Sequence, residues 1–166
     1  IFEVVNAEEL TVLWEGQPIV CGQTEPIDFG PMLVGGESES KTFFIRNDGQ
    51  QALMLGSIAV PAGFEVSGPG SAVLLGGAST SFTVSLQLNG EGLGACEGQV
   101  YLASSDGLRS PDGIDEATCS VAVRALIAGD CDVDADVDIE DLSLLAANWD
   151  QCDKTWAEGD FTGDGC

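Results

Sequence analysis

Asp130-Cys-Asp-Val-Asp-Ala-Asp-Val-Asp-Ile-Glu-Asp141 places carboxylates at the first, third, fifth, seventh, ninth and twelfth positions of a twelve-residue stretch. That spacing is the chemistry of a calcium loop. Side chains at one, three, five and twelve ligate directly, the seventh residue gives its carbonyl, and the ninth holds a water. Asp130, Asp132, Asp134 and Asp141 are therefore the expected side-chain ligands, Asp136 the carbonyl ligand and Asp138 the support at the ninth place. Carboxylates packed this closely repel one another unless a cation sits among them. Ala135 occupies the sixth place, where a turn glycine is usual, which should cost the site on the order of 1 kcal/mol.

The loop needs an element to hold its last ligand, and the sequence supplies one. Ile139, Leu142, Leu145, Ala146 and Trp149 recur at helical spacing, predicting a helix over about 139–149 that Asp138 caps. A solvated acidic linker would have no use for that apolar stripe. A second copy begins at Gly159-Asp-Phe-Thr-Gly-Asp-Gly165, where Asp160, Thr162 and Asp164 take the first, third and fifth places and Cys166 the seventh. The ninth and twelfth ligands and the second helix lie outside the sequence. A chain boundary, further residues, or completion by another chain would each account for this.

The doubled pattern of EF-hand-like loop, helix and Gly-Asp-Phe-Thr-Gly-Asp-Gly resembles a type I dockerin module of the kind found in planctomycete exported proteins. The likeness spans 129–166, about the first two-thirds of such a module. It implies bound Ca2+ and docking to a cohesin-like protein partner. Aspartate at the twelfth place is also the dockerin choice, one methylene shorter than the glutamate of calcium sensors.

Composition changes along the chain, predicting two unequal domains, 1–127 and 129–166. The second, below about 40 residues, is under the size that usually folds without a metal, a disulfide or a partner. Of the net charge of −23, 12 acidic residues against Lys154 alone put −11 in this small segment. A field of that sign repels phosphate backbones and anionic lipid, so no nucleic-acid partner is expected. The chain has no histidine, removing the usual general base and the commonest zinc ligand. No apolar run approaches the roughly 18 residues of a membrane span, so no membrane insertion is expected. The start at Ile1, without Met or a signal-peptide pattern, fits a processed export product or an excised fragment.

Cys21, Cys96, Cys119, Cys131, Cys152 and Cys166 form no CxxC pair, which points to disulfides in an oxidising compartment rather than zinc or redox chemistry. Three lie in each segment. If all six pair within the chain, at least one bridge joins the segments; otherwise a partner lies beyond Cys166 or on another molecule.

The larger segment reads as strand, turn, strand. Lys41–Arg46, Leu53–Val60, Phe64–Val66, Ser81–Leu88, Gln99–Ser104 and Cys119–Ile127 are strand-like, separated by Asn47-Asp-Gly49, Pro61-Ala-Gly63 and Gly76-Gly77. Phe82, Val84, Leu86 and Leu88 alternate with polar neighbours, and Val121, Val123 and Ala125 share one face. Seven or so such strands favour an immunoglobulin-like antiparallel β-sandwich, a mainly β fold with a small C-terminal calcium-loop–helix segment. Ile27-Asp-Phe-Gly30, Val34-Gly35, Phe44-Ile-Arg-Asn47 with Gly49, Leu53 to Pro61, Gly63-Phe64 and Gly77 before Phe82-Thr-Val84 resemble the choice-of-anchor D family, related to ASH domains, over about 25–127. The resemblance implies a bacterial spacer or surface module with no catalytic residue. Glu37, Glu39, Glu65 and Glu97 sit at turns or between polar neighbours and read as solvated surface rather than a glycosidase acid pair.

Ile1-Phe-Glu-Val-Val5 and Leu10-Thr-Val-Leu-Trp14 are both strand-like, and the sandwich needs only one of them to start. The spare strand can cover its own sheet edge or add to the edge of a neighbouring molecule. Trp14 reads as a core or hairpin aromatic rather than a sugar-stacking one. The sequence thus points to a non-enzymatic, calcium-stabilised extracellular structural protein, a subunit of a cell-surface layer or filament that self-associates as a homo-oligomer. The alternatives are a dockerin-type anchor and a carbohydrate-binding module using Trp14 or Tyr101.

Overall fold

The structure is a computed structural model that describes residues 7–32, 39–69, 73–86, 96–107, 114–127, 129–132 and 137–160. Among these residues ten strands precede one α-helix: β1 Leu10–Trp14, β2 Gln17–Ile19, β3 Gln23–Met32, β4 Ser40–Asn47, β5 Leu53–Ala59, β6 Phe64–Ser67, β7 Val73–Leu74, β8 Ser79–Leu86, β9 Cys96–Ser104 and β10 Thr118–Ile127. Helix α1, Ile139–Asn148, and a short 3-10 helix, Trp156–Glu158, follow. The expected mainly β sandwich is what the chain forms. One sheet has the order β2-β1-β4-β8-β6 and the other β3-β10-β9-β5-β7.

Period-two alternation explains why these strands pack. On β4, Phe43, Ile45 and Asn47 are buried while Thr42 and Phe44 face outward, and on β8 Phe82, Val84 and Leu86 point in. The second sheet answers with Ile27, Phe29, Leu53, Val100, Leu102, Val121 and Val123, all buried in one cluster. Phe43 stacks on Phe82 at 5.1 Å within its sheet, and Phe29 meets Phe64 edge-on at 5.2 Å across the sandwich. Ala122, between Val121 and Val123 on β10, is buried as well. Leu10–Trp14 turns sharply through Glu15 and Gly16, both at positive φ, into β2, so Trp14 is a hairpin aromatic paired opposite Gln17.

The sandwich is not purely antiparallel. β3 runs parallel to β10, with register shifts along the pair. Cys21, just before β3, is disulfide-bonded to Cys119 on β10 at a sequence separation of 98. The bridge pins this non-local pairing at its start.

Asn47 holds the other end. Fully buried, it donates through Nδ2 to the carbonyls of Gln51 (2.7 Å) and Leu74 (2.9 Å). Its Oδ1 accepts from the backbone N–H of Glu9 (3.2 Å) and Gly49 (3.0 Å). One side chain therefore ties the approach to β1, the β4–β5 loop and β7. Gly49 has no room for a side chain, because a Cβ there would fall 2.2 Å from the carbonyl oxygen of Ala7. Asn47→Ala strands buried backbone groups at several points, each costing about 1–3 kcal/mol, so a total loss of about 3 kcal/mol is expected in urea unfolding of the whole chain. A loss below about 1 kcal/mol would mean water replaces the amide at no cost.

Candidate metal centre

Asp138 lies in extended backbone at the N-cap of α1, and its Oδ1 accepts from the N–H of Glu140 at 2.7 Å. Asp141, one turn in, reaches back: its Oδ2 accepts from the N–H of Asp138 at 2.7 Å, completing a reciprocal capping box. Its Oδ1 accepts from the N–H of Cys131 at 2.6 Å and of Asp132 at 3.4 Å. The same carboxylate thus caps the helix and gathers the start of the loop against it. Burial of Asp141 opposes ionisation, but the backbone donors outweigh it and hold the carboxyl below the usual aspartate range.

Carboxylate oxygens of Asp130, Asp132 and Asp141 lie within 4.8 Å of one another, with Asp130 and Asp141 buried. Three of the four expected side-chain ligands therefore converge. Asp134 and Asp136 lie outside the described residues. The set is all hard oxygen and carries a charge of −3 if ionised, which suits a hard divalent cation and not a soft one. Asp138 is used as a cap and is not a member of the convergent group.

Asp160, the expected first ligand of the second loop, is buried, and its N–H donates to the carbonyl of Thr155 at 3.1 Å. Thr162, Asp164 and Cys166 lie outside the described residues. Gly159, at φ 99°, packs against Leu145 of α1, where a Cβ would fall 2.6 Å from Leu145 Cδ1. The second motif thus starts folded back on the first helix. The rest of the apolar stripe is not covered in the same way: Ile139, Leu142 and Trp149 are exposed, as is Val137.

The cysteines do not all pair. Cys131 is free and buried inside the loop, which removes the premise for a necessary bridge between the two segments. Burial pushes its thiol up, and the charges of Asp141, Asp130 and Asp132 push it further. Cys152 is disulfide-bonded, to a partner outside the described side chains.

Sequence reading missed a second carboxyl group. Oxygens of Glu9, Asp106 and Glu116 also lie within 4.8 Å of one another, where the approach to β1 meets the ends of β9 and β10. Leu10 N–H donates to Asp106 Oδ2 at 2.5 Å. More than a hundred residues separate Glu9 from Glu116, so no local spacing could have signalled this group. Each of the three has further interactions of its own, and the cluster reads as a fold junction.

Among the described residues no helix is long and apolar enough to cross a membrane. No family model matches the sequence, and no curated protein matches it. Solved structures align with it. A protein of unknown function from Porphyromonas gingivalis W83 aligns with a TM-score of 0.53 at 16% identity, over 75% of this chain and 49% of that one. SSP-19, an MSP-domain protein like family member of Caenorhabditis elegans, aligns at 0.40 and 10% identity, over 59% of this chain and 94% of its own. The Vibrio cholerae protease VesB aligns at 0.38 and 17% identity, over 61% of this chain and 30% of that one. The chain spans about half the length of the first of these. The likeness to the Porphyromonas gingivalis protein is one of fold, a β-sandwich that this chain shares.

Proposed function

We propose that the chain is a non-catalytic, calcium-stabilised structural subunit of an extracellular assembly, a β-sandwich body whose acidic tail is locked by Ca2+. The observation that carries this reading is the convergence of Asp130, Asp132 and Asp141 at the head of α1. A bound Ca2+ would be held there by these carboxylates. It would supply charge neutralisation to a segment with a net charge of −11. The residues themselves do the positioning: Asp138 and Asp141 start the helix, and the amides of Cys131 and Asp132 draw the loop onto Asp141. The Cys21–Cys119 disulfide supports an oxidising compartment outside the cytoplasm, and the absence of histidine from the whole chain supports a role without catalysis.

Titrating the chelator-stripped chain with CaCl2 in a calorimeter tests the site. Binding near a one-to-one ratio is expected, with a gain in thermal stability that Asp130→Asn/Asp132→Asn lacks. Equal calcium uptake by that double variant would move the site elsewhere and end this reading.

A second reading, a dockerin-type anchor for a cohesin-like partner, is favoured by the exposed apolar residues Ile139, Leu142 and Trp149 on α1. The carbohydrate reading has less support, since Trp14 is half-buried with the Lys41 ammonium 5.1 Å over its ring.

A further inference from the structure

The described residues leave one side of the sandwich open. There β2, paired with β1 alone, is the edge of one sheet, and β3, paired with β10 alone, is the edge of the other. Residues of β1, β2 and β3 line a groove of about 360 Å³, with Trp14, Pro18, Ile19, Pro26 and Ile27 as its apolar surface. Pro18 and Pro26 have no N–H, so neither edge offers an added strand a continuous ladder, and recognition falls to side chains. The polar part of the lining is Gln17, Gln23, Glu25 and Asp28; both acids stand on β3, and among the described residues no basic side chain lines the groove. Asp28 is held in place, its Oδ1 accepting from the N–H of Gly30 and its Oδ2 from Arg124, each at 2.7 Å. Glu25 is exposed, and among the described residues no salt bridge reaches it.

We propose that this groove docks an extended cationic segment of a different protein, one that carries Arg or Lys next to an apolar side chain. Charge selects the occupant. The lining offers carboxylate and amide acceptors and two prolines without a donor, which suits a ligand rich in N–H groups. An anionic ligand is repelled by Glu25 and Asp28 and by the chain's net charge of −23. The apolar neighbour has its own place. Trp14, Ile19 and Pro26 are half-buried and Ile27 is buried, so a side chain entering there leaves water, and a bare cation would leave that surface wet. The Lys41 ammonium already lies 5.1 Å from the centroid of the Trp14 ring, which steers a ligand's positive group off the ring and toward Glu25. The chain itself is a poor source of the segment. Arg46, Arg124 and Lys154 are salt-bridged to Asp48, Asp28 and Glu158, and Lys41 stands over the Trp14 and Phe29 rings. Those are four of its five basic residues, the fifth, Arg109, lying outside the described residues. Two copies would also each bring a charge of −23 to the contact. The volume is at the small end of ligand pockets, enough for a few side chains of one segment.

This inference rests on the reading of the chain as an assembly subunit and deepens it by naming the chemistry of a partner. The capped hexapeptides PVRPVR, PVQPVQ and PVEPVE are titrated into the full chain in excess CaCl2, and binding is followed by NMR shifts of the Trp14 indole and the Ile19 and Ile27 methyls. The expected result is saturable shifts at these groups with PVRPVR, about fivefold weaker binding of PVQPVQ, and no binding of PVEPVE. Glu25→Gln should weaken PVRPVR about threefold, whereas Glu65→Gln, which removes the same charge from β6 at the far edge of the sheet, should leave it unchanged. Both side chains are exposed, and circular dichroism of each variant checks that the sandwich is intact. Equal binding of PVRPVR and PVQPVQ, an equal loss in the two variants, or shifts confined to the acidic tail would overturn the proposal. Spermidine binding in the groove as tightly as PVRPVR would do the same, by removing the need for an apolar neighbour. So would groove shifts that appear on raising the chain's own concentration without peptide, which would put a second copy there. None of these outcomes alters the calcium titration of Asp130→Asn/Asp132→Asn, so the two readings fail separately.

Discussion

Replacing Cys21 and Cys119 together by alanine should lower the unfolding free energy of the chain by about 4 kcal/mol. The bridge closes a loop across a sequence separation of 98, and a cross-link of that span removes roughly 4.7 kcal/mol of chain entropy from the unfolded ensemble in the entropic account. Native-state relaxation trims the figure, but its place in the fold acts the other way. Cys119 is fully buried on β10, and among the described residues β3 is an edge strand paired with β10 alone, in parallel with register shifts. Parallel pairing over such a separation forms late and at a high closure cost, and the disulfide meets that cost in advance. Guanidinium unfolding of the oxidised chain and of the double variant, both saturated with calcium, measures the difference. A loss under about 1 kcal/mol would mean that the sheet holds β3 by itself. Because β3 lies at the edge of its sheet, the variant should also show faster hydrogen exchange along Gln23–Met32 than elsewhere in its sheet.

The parts of this fold that were legible in the sequence are those written in short-range periodicity. The alternation through Phe82, Val84 and Leu86 names a strand with one buried face, and the structure buries those three. The helix after the acidic loop was equally plain, from its spacing and its Asp138 cap. What periodicity cannot say is what a face packs against. The stripe Ile139, Leu142, Leu145, Ala146, Trp149 is a helix face, but among the described residues Leu145 packs at Gly159 while Ile139, Leu142 and Trp149 are exposed. Pairings between distant residues were illegible for the same reason. Nothing near Asn47 in sequence marks it as the junction of three segments, since Leu74 and Glu9 reach it from 27 and 38 residues away. Nothing about Cys21 picks out Cys119 from among five possible partners. The carboxyl set at Asp130, Asp132 and Asp141 was legible because its ligands lie on one loop and one helical turn.

The largest local effect is expected at Asp141. It combines two functions that most helix-starting loops divide between residues. Its carboxylate accepts from the amides of Cys131, Asp132 and Asp138, and it stands within 4.8 Å of the oxygens of Asp130 and Asp132. Asp141→Ala removes all three acceptor contacts and a share of the cation's charge at once. A helix of ten residues is marginal on its own, so losing its capping box along with its tether to the loop should unfold α1 in chelator-treated protein. Calcium affinity should fall by about two orders of magnitude, the loss of one charged ligand contact. Asp141→Asn separates the two effects: one amide oxygen still accepts from the loop, so the helix should persist while calcium binding remains weak. Asp138→Ala, which touches only the cap, should cost about 1 kcal/mol of helix stability and leave calcium binding within a fewfold of the parent. The pH dependence has a definite sign. The folded carboxyl of Asp141 titrates below its unfolded value, so its contribution is fully present above about pH 4 and is lost as pH falls through the lowered folded value. Helix signal by circular dichroism, taken across pH in chelator for the parent and Asp141→Asn, reads this directly. If the two chains lose helix over the same acid range, Asp141 is not the residue that holds the loop to the helix.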